Sequence, residues 1–190
     1  MVENFYNINN SINLLIKKFK KTYEIGWIEK KTSHCGEFGN NLEILLGKEN
    51  NDLQVPDFDG IELKTKKENA LNEYITLFNC APWGNNFFEI KRLQEKYGYP
   101  DSTMKNYKIL NTEAFSNYKK KVGNRYYFEL KVDRNLKKII LLIFDNNKNL
   151  IDNSTYWPFE ILQQKLFCKL KYLAIIKVIQ KYINKKQYYR

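Results

Sequence analysis

The stretch that decides the fold is "VPDFDGIELKTKK", residues 55–67. Asp59-Gly60 is a strong two-residue hairpin signal, because the favoured tight turn needs positive φ at its central positions. Phe58 and Ile61 then flank the turn, and Asp57 and Glu62 form the next pair outward, directly opposed. Side chains alternate along a strand, so Lys64 shares the face of Glu62 while Ile61, Leu63 and Thr65 face the other way. Val55 and Pro56 open the first arm, where a missing N–H is tolerable. Three charged groups are expected on one small patch.

Opposed side chains have Cβ atoms about 4.5–5.5 Å apart. Two ionised carboxylates there repel, and protonation, a cation or water must relieve the repulsion. A hard divalent cation does so best. Mg2+ typically takes one or two protein carboxylates plus substrate phosphate oxygens. Lys64 beside such a site can orient or help deprotonate a water and stabilise charge building on phosphorus. An exposed hairpin with a Glu–Lys pair needs no chemistry, so the pattern alone leaves both readings open. A second Glu-Leu-Lys, residues 129–131, lacks the nearby upstream Pro-Asp and serves as an internal decoy.

Working outward, residues 8–22 carry Ile8, Ile12, Leu15, Ile16 and Phe19 at helical spacing, with Ser11 or Asn10 as cap. A polar loop runs to Gly39, and Asn40–Leu46 reads as a short helix ended by Gly47. Leu42, Leu45 and Leu46 would pin one face of it and leave Glu43 on another, near the hairpin. Strands are expected at Ile61–Thr65, Tyr74–Phe78, Tyr126–Val132 and Lys138–Phe144, the last two a hairpin across Asp133-Arg134-Asn135. Residues 83–123 are weakly patterned, irregular or partly helical. Pro158 opens a helix with Phe159, Leu162, Leu166 and Leu170 as its stripe, and Tyr172–Ile179 reads as a buried strand. The order implies an α/β domain, a mixed β-sheet flanked by helices.

The chain has 190 residues with 32 basic against 21 acidic side chains, net +11. Residues 161–190 hold eight basic side chains and no acid. Such basicity points to a polyanionic partner, with a Lys-rich composition as the plain alternative. Three cysteines without a CxxC pair argue against a disulfide scaffold, and His34 with Cys35 lacks the further soft ligands that zinc needs. The longest apolar run, Ile139–Phe144, is far short of the roughly 20 residues that span a bilayer. No secretory signal opens the sequence. A cytoplasmic protein without membrane contact is expected.

Pro56-Asp57, four residues, then Glu62-x-Lys64 is the signature of the PD-(D/E)xK nucleases. Its surroundings add to it. "GNNLEILLGKENNDLQVPDFDGIELKTKK" (39–67), "YITLF" (74–78), "GW" (26–27), "IDNSTYWPFEILQQKL" (151–166) and "LKYLAII" (170–176) together resemble the MvaI/BcnI group of type II restriction endonucleases. The likeness runs from about residue 20 to Arg190. MutH-like repair nicking enzymes share a shorter core of it.

The resemblance implies a PD-(D/E)xK restriction-endonuclease-like core and a Mg2+-dependent endonuclease that leaves 5′-phosphates in double-stranded DNA. It implies Asp57 and Glu62 as metal-binding carboxylates, with the Leu63 backbone carbonyl as a further metal ligand. Lys64 would be the catalytic lysine and Glu43 the upstream helix glutamate. It also implies a short CC-x-GG-type site, a monomer, and a cognate DNA methyltransferase in the same system. Lys66 and Lys67 are candidate phosphate contacts, as are Lys30 and Lys31. Weaker candidates are Lys91, Arg92, Lys119, Lys120, Lys121 and Arg125, with Trp83 and Tyr107 as aromatic ones.

Two departures stand out. Glu37 occupies a position where the family usually has glycine, adding negative charge near DNA phosphate. The chain also stops at "KKQYYR", where the group continues with His and Arg base readers. The expectation is therefore a single 1–190 nuclease domain lacking the C-terminal recognition portion. A non-catalytic DNA-binding remnant, a MutH-like nicking enzyme and an RNA-associated protein are the competing readings.

Overall fold

The computed structural model describes residues 7–32, 36–48, 55–70, 74–83 and 86–190. His34 and Cys35, weighed as a metal pair, lie outside them. In chain order the elements are α1 (Ile8–Glu24), β1 (Ile28–Glu29), α2 (Glu37–Leu45), β2 (Ile61–Lys67), α3 (Asn86–Tyr97), β3 (Tyr99–Pro100), β4 (Lys108–Ile109) and β5 (Lys120–Val122). Then follow β6 (Tyr126–Asp133), β7 (Lys138–Phe144), β8 (Leu150–Asp152), β9 (Tyr156–Pro158), α4 (Phe159–Lys169), β10 (Tyr172–Val178), β11 (Gln180–Ile183) and β12 (Lys186–Tyr189). None of the described helices is long and apolar enough to cross a membrane.

Contacts divide the chain into two compact units, Met1–Phe78 with Lys165–Arg190, and Asn79–Gln164. In the first, β2 and β10 pair in parallel from Ile61 opposite Tyr172 to Lys67 opposite Val178. β1, β12 and β11 form an antiparallel sheet. Leu42, Leu46, Phe58, Ile61 and Leu63 make the core, with Ile8, Leu15, Phe19, Ala174 and Ile176 packed on it. Each such apolar side chain stabilises the fold by about 1.5–3 kcal/mol when fully buried. The apolar stripe of α1 therefore fixes α1 against β2, β10 and the tight turn. Lys18 of α1 donates to the Leu46 carbonyl at 2.7 Å, satisfying an orphan acceptor at the end of α2.

In the second unit, β5, β6, β7 and β8 form a meander, and β9 also pairs with β7. Leu93, Tyr97, Val122, Phe128, Leu141 and Ile143 are its core. The expected hairpin is here: β6 and β7 pair from Tyr127 opposite Phe144 to Asp133 opposite Lys138.

Several local expectations need correcting. Asn7, not Ser11 or Asn10, caps α1, and Ser11 is buried inside the helix. The second helix starts at Glu37 rather than Asn40, because Gly39, read as a break, lies within it. Residues 74–78 are irregular, not a strand. One edge of β2 is filled by β10 and the other faces the tight turn, so this apolar run has no strand edge to join there. Pro158 ends β9, and the helix begins one residue later. Residues 83–123 hold a full helix, α3, and three short strands.

Candidate active site

Asp59 and Gly60 adopt φ of 40° and 86°, as a primed turn requires. Phe58 and Ile61 exchange both backbone hydrogen bonds, at 2.8 and 2.7 Å. The ladder stops at this one rung. Asp57 is therefore not a ladder partner of Glu62. Its Oδ2 instead accepts the Leu63 N–H at 2.9 Å. Lys48 anchors the entering segment by donating to the Pro56 carbonyl at 3.2 Å.

That bond has a consequence for Leu63. Within a strand the N–H and C=O of one residue point to the same edge. Since the Leu63 N–H meets Asp57, its carbonyl also opens on the Asp57 edge, away from β10.

Alternation along β2 puts Glu62 and Lys64 on one face, as expected from the sequence. Glu62 is completely buried. Its Oε1 pairs with Lys64 and, at 3.3 Å, with Lys169. Its Oε2 is buried without a hydrogen-bond partner. An unpaired buried carboxylate oxygen is costly to a fold. Glu43, on α2, is half-buried. Burial pushes its carboxyl up, the nearby charges of Asp57 and Glu62 push it further, and Lys64 and Lys169 act against them. Three acids and two ammonium groups thus share one neighbourhood.

Lys169 escaped the sequence reading. It is the last residue of α4, and β10 then enters with Tyr172 beside Ile61 and Leu173 beside Glu62. A lysine in the last turn of a helix suits the helix dipole, so "KLFCKLKYL" carried no sign of a second role. Only the parallel pairing of β10 with β2 brings it to Glu62.

The other expected residues are dispersed. Lys30 and Lys67 both lie over the Phe38 ring, at 5.4 and 5.2 Å from its centroid. Lys31 is exposed, and Lys66 is half-buried on the Lys64 face. Glu37 does not stand as a free negative charge. It is buried and accepts from the Lys31 N–H, the Thr32 N–H and the Thr32 hydroxyl, at 2.7, 2.7 and 2.6 Å. Arg92 is committed to Glu89, Asp152, Ser154 and Thr155.

Among the described residues, no three His, Cys, Asp or Glu side chains form a ready-made metal cage. The oxygen donors of this neighbourhood are the Asp57 and Glu62 carboxylates and, on the Asp57 edge of β2, the Leu63 backbone carbonyl. A hard cation that keeps waters and substrate oxygens in its shell suits such a partial set. The partnerless Glu62 oxygen fits it too.

The MvaI/BcnI restriction endonuclease family model matches residues 16–190. The chain belongs to that family. It is a site-specific deoxyribonuclease of the type II restriction class, with a PD-(D/E)xK-type fold. It is similar to the solved complex of restriction endonuclease MvaI with cognate DNA substrate, at 35% identity and a TM-score of 0.84, over 93% of this chain and 70% of that one. Against MvaI in the absence of DNA the identity is 35% and the TM-score 0.52, over 94% and 70%. No curated protein matches the sequence.

Proposed function

We propose that the chain hydrolyses double-stranded DNA at a short CC-x-GG-type site, with Mg2+ as cofactor and Asp57, Glu62, Lys64 and Glu43 as the catalytic set. The observation that carries this reading is Glu62, fully buried with one oxygen held by two ammonium groups and the other without a partner. A fold retains such a group where a ligand completes it. Asp57, Glu62 and the Leu63 carbonyl would hold the ion. When bound, it supplies Lewis acidity and neutralises charge on the phosphate.

The protein's own residues do the rest. In the reaction a water oxygen loses a proton and bonds to phosphorus, the P–O3′ bond breaks, the leaving O3′ takes up a proton to become the 3′-hydroxyl of one fragment, and the 5′-phosphate stays on the other. Lys64 stabilises the negative charge that grows on the non-bridging oxygens. Lys169 shares Glu62 with it, and so leaves the Lys64 ammonium freer to turn toward the phosphate. Glu43, its carboxyl pushed upward by burial and then by Asp57, takes up a proton at the edge of the site during the reaction. Lys66, Lys67, Lys30 and Lys31 contribute phosphate contacts. The enzyme acts as a monomer in the cytoplasm, beside a methyltransferase that protects the same site.

A plasmid-nicking assay with a Mg2+ titration tests the reading. The parent should cut only with the ion present, and Asp57→Asn should not respond to it. Cleavage that persists undiminished in EDTA would remove the metal from the scheme.

A further inference from the structure

We propose that Lys48 is a positioning residue for the reaction: it ties the end of the helix that carries Glu43 to the peptide that leads into Asp57, and so fixes where the Asp57 carboxylate meets the metal ion. The inference rests on the metal-dependent reading above and extends it to a lysine outside the charged set around Glu62.

The tie has two ends, and both are hydrogen bonds. At one end α2 closes in a left-handed turn. Gly47 takes φ of 81° and gives its N–H to the Ile44 carbonyl at 2.9 Å. The Lys48 N–H then reaches back to the carbonyl of Glu43 itself, also at 2.9 Å. This pair of bonds satisfies carbonyls that a helix end leaves open. It also sets the direction in which the Lys48 side chain leaves the helix. At the other end the ammonium of half-buried Lys48 donates to the Pro56 carbonyl at 3.2 Å, eight residues along the chain. Lys18 of α1 closes the same helix end on the Leu46 carbonyl, at 2.7 Å.

The Pro56 carbonyl belongs to the peptide bond whose nitrogen is that of Asp57. A peptide unit is planar, so a bond that holds this oxygen orients the backbone where Asp57 begins. Strand pairing does not do that work, because the ladder ends at the Phe58–Ile61 rung, one residue short of Asp57. The Asp57 side chain is held separately, by the Leu63 N–H at 2.9 Å on Oδ2. Lys48 fixes the backbone and Leu63 fixes the carboxylate, which together aim it toward the edge where the Leu63 carbonyl opens. Groups that hold a metal-binding side chain without touching the ion typically change metal affinity by about 10–100-fold when removed.

The test follows two responses of the full chain to added Mg2+: the melting temperature without DNA, and the rate of plasmid nicking. Lys48→Met should need about 10–100-fold more Mg2+ to reach the same rise in melting temperature and to half-saturate nicking. Saturating Mg2+ should restore most of the nicking rate, and the KM for the plasmid should stay the same. Lys48→Arg keeps a charged donor and should recover most of the Mg2+ response. Equal defects in Lys48→Met and Lys48→Arg would overturn the proposal. Lys18→Met opens the same helix end and leaves the Pro56 bond in place. It should melt earlier with its Mg2+ requirement unchanged, and a requirement raised as far as that of Lys48→Met would reduce Lys48 to a general stabiliser and overturn the proposal. Duplex binding in EDTA supplies a further check, since each phosphate contact contributes about 0.9 to the slope of log affinity against log salt. A slope lowered by that amount in Lys48→Met would make Lys48 a phosphate contact instead. If Lys48→Met does not fold, Lys48→Gln, whose shorter side chain falls short of Pro56, decides by the same criteria. A parent that responds to Mg2+ in neither measurement would sink the metal-dependent reading itself. A parent that responds, with Lys48→Met indistinguishable from it, would sink this inference alone.

Discussion

Among the described residues each unit of the chain contains a buried cluster of several charged groups, around Glu62 in the first and Asp152 in the second, and the two are finished differently. In the second unit Asp152 is nearly inaccessible and takes hydrogen bonds from the Tyr97 hydroxyl, Arg92, the Ser154 N–H and the Ser154 hydroxyl at 2.5–2.9 Å. Arg92 also donates to both Glu89 oxygens. Burial pushes the Asp152 carboxyl up, but the bonds from Tyr97, Ser154 and Arg92 outweigh it and hold it far below its usual value. In the first unit Glu62 is buried at least as deeply, one of its oxygens has no partner, and its neighbour Glu43 is shifted upward. A network that satisfies every member rigidifies a scaffold, whereas an incomplete one is retained where something else must bind. On the reading proposed above, the contrast assigns Arg92 and Asp152 to the scaffold, although both are as charged as the residues around Glu62.

The largest effect should come from Lys64→Ala. Cleavage should fall by about 10²–10⁴-fold, the range for one positioned charge or proton carrier. Duplex binding should barely move. Lys131→Ala, in the decoy triplet, should leave cleavage unchanged, and equal rates from both variants would erase the distinction. Asp152→Asn should do the reverse. Removing one charge from a buried pair costs about 3 kcal/mol, to be read from urea unfolding. A variant of full stability and lost cleavage would move Asp152 into the reaction. Acidification should have the same sign. Because the folded state holds the Asp152 carboxyl below the ordinary 3.8, its stabilisation is present above that pH and is lost as pH falls further. Lys169→Met should have a smaller effect, about tenfold on cleavage, since Lys64 still neutralises Glu62. No loss at all would return Lys169 to a simple helix-end charge.

How much of this the sequence carried can be argued from its turns. Asp59-Gly60 announced its turn because glycine there needs no persuasion to adopt positive φ, and the structure has the turn. Asn184 and Lys185 adopt φ of 50° and 64° and join β11 to β12, but "INKKQ" contains no glycine and the hairpin went unread. The two Glu-Leu-Lys triplets make the same point about the site. Both lie on strands, and alternation is identical in both. Glu62 differs because a parallel strand arrives beside it with Lys169 at its head, and Glu129 has instead the antiparallel neighbour Leu142. Spacing reports which residues share a face, but not which distant segment will face them. Asp57 shows the limit at short range. The turn was legible, yet the opposition of Asp57 to Glu62 was not realised, because the carboxylate took the Leu63 N–H in place of a second ladder rung.

The smallest effect is expected at Glu43, where stability and activity should move in opposite directions. Its carboxyl sits above the ordinary 4.5 in the folded state, first through burial and then through Asp57. Ionised Glu43 therefore weighs against folding at neutral pH, and the penalty is absent below the unfolded pKa. The sign is opposite to that of Asp152: this contribution favours the fold at low pH and is lost as pH rises through the folded pKa. Glu43→Gln removes the charge and keeps the shape. Its melting temperature should lie slightly above the parent's at neutral pH, and the gap should close as pH falls below about 4.5. Cleavage by the same variant should fall. A gap that widened on acidification would mean that ionised Glu43 helps hold the fold together, which is incompatible with a site built under electrostatic tension.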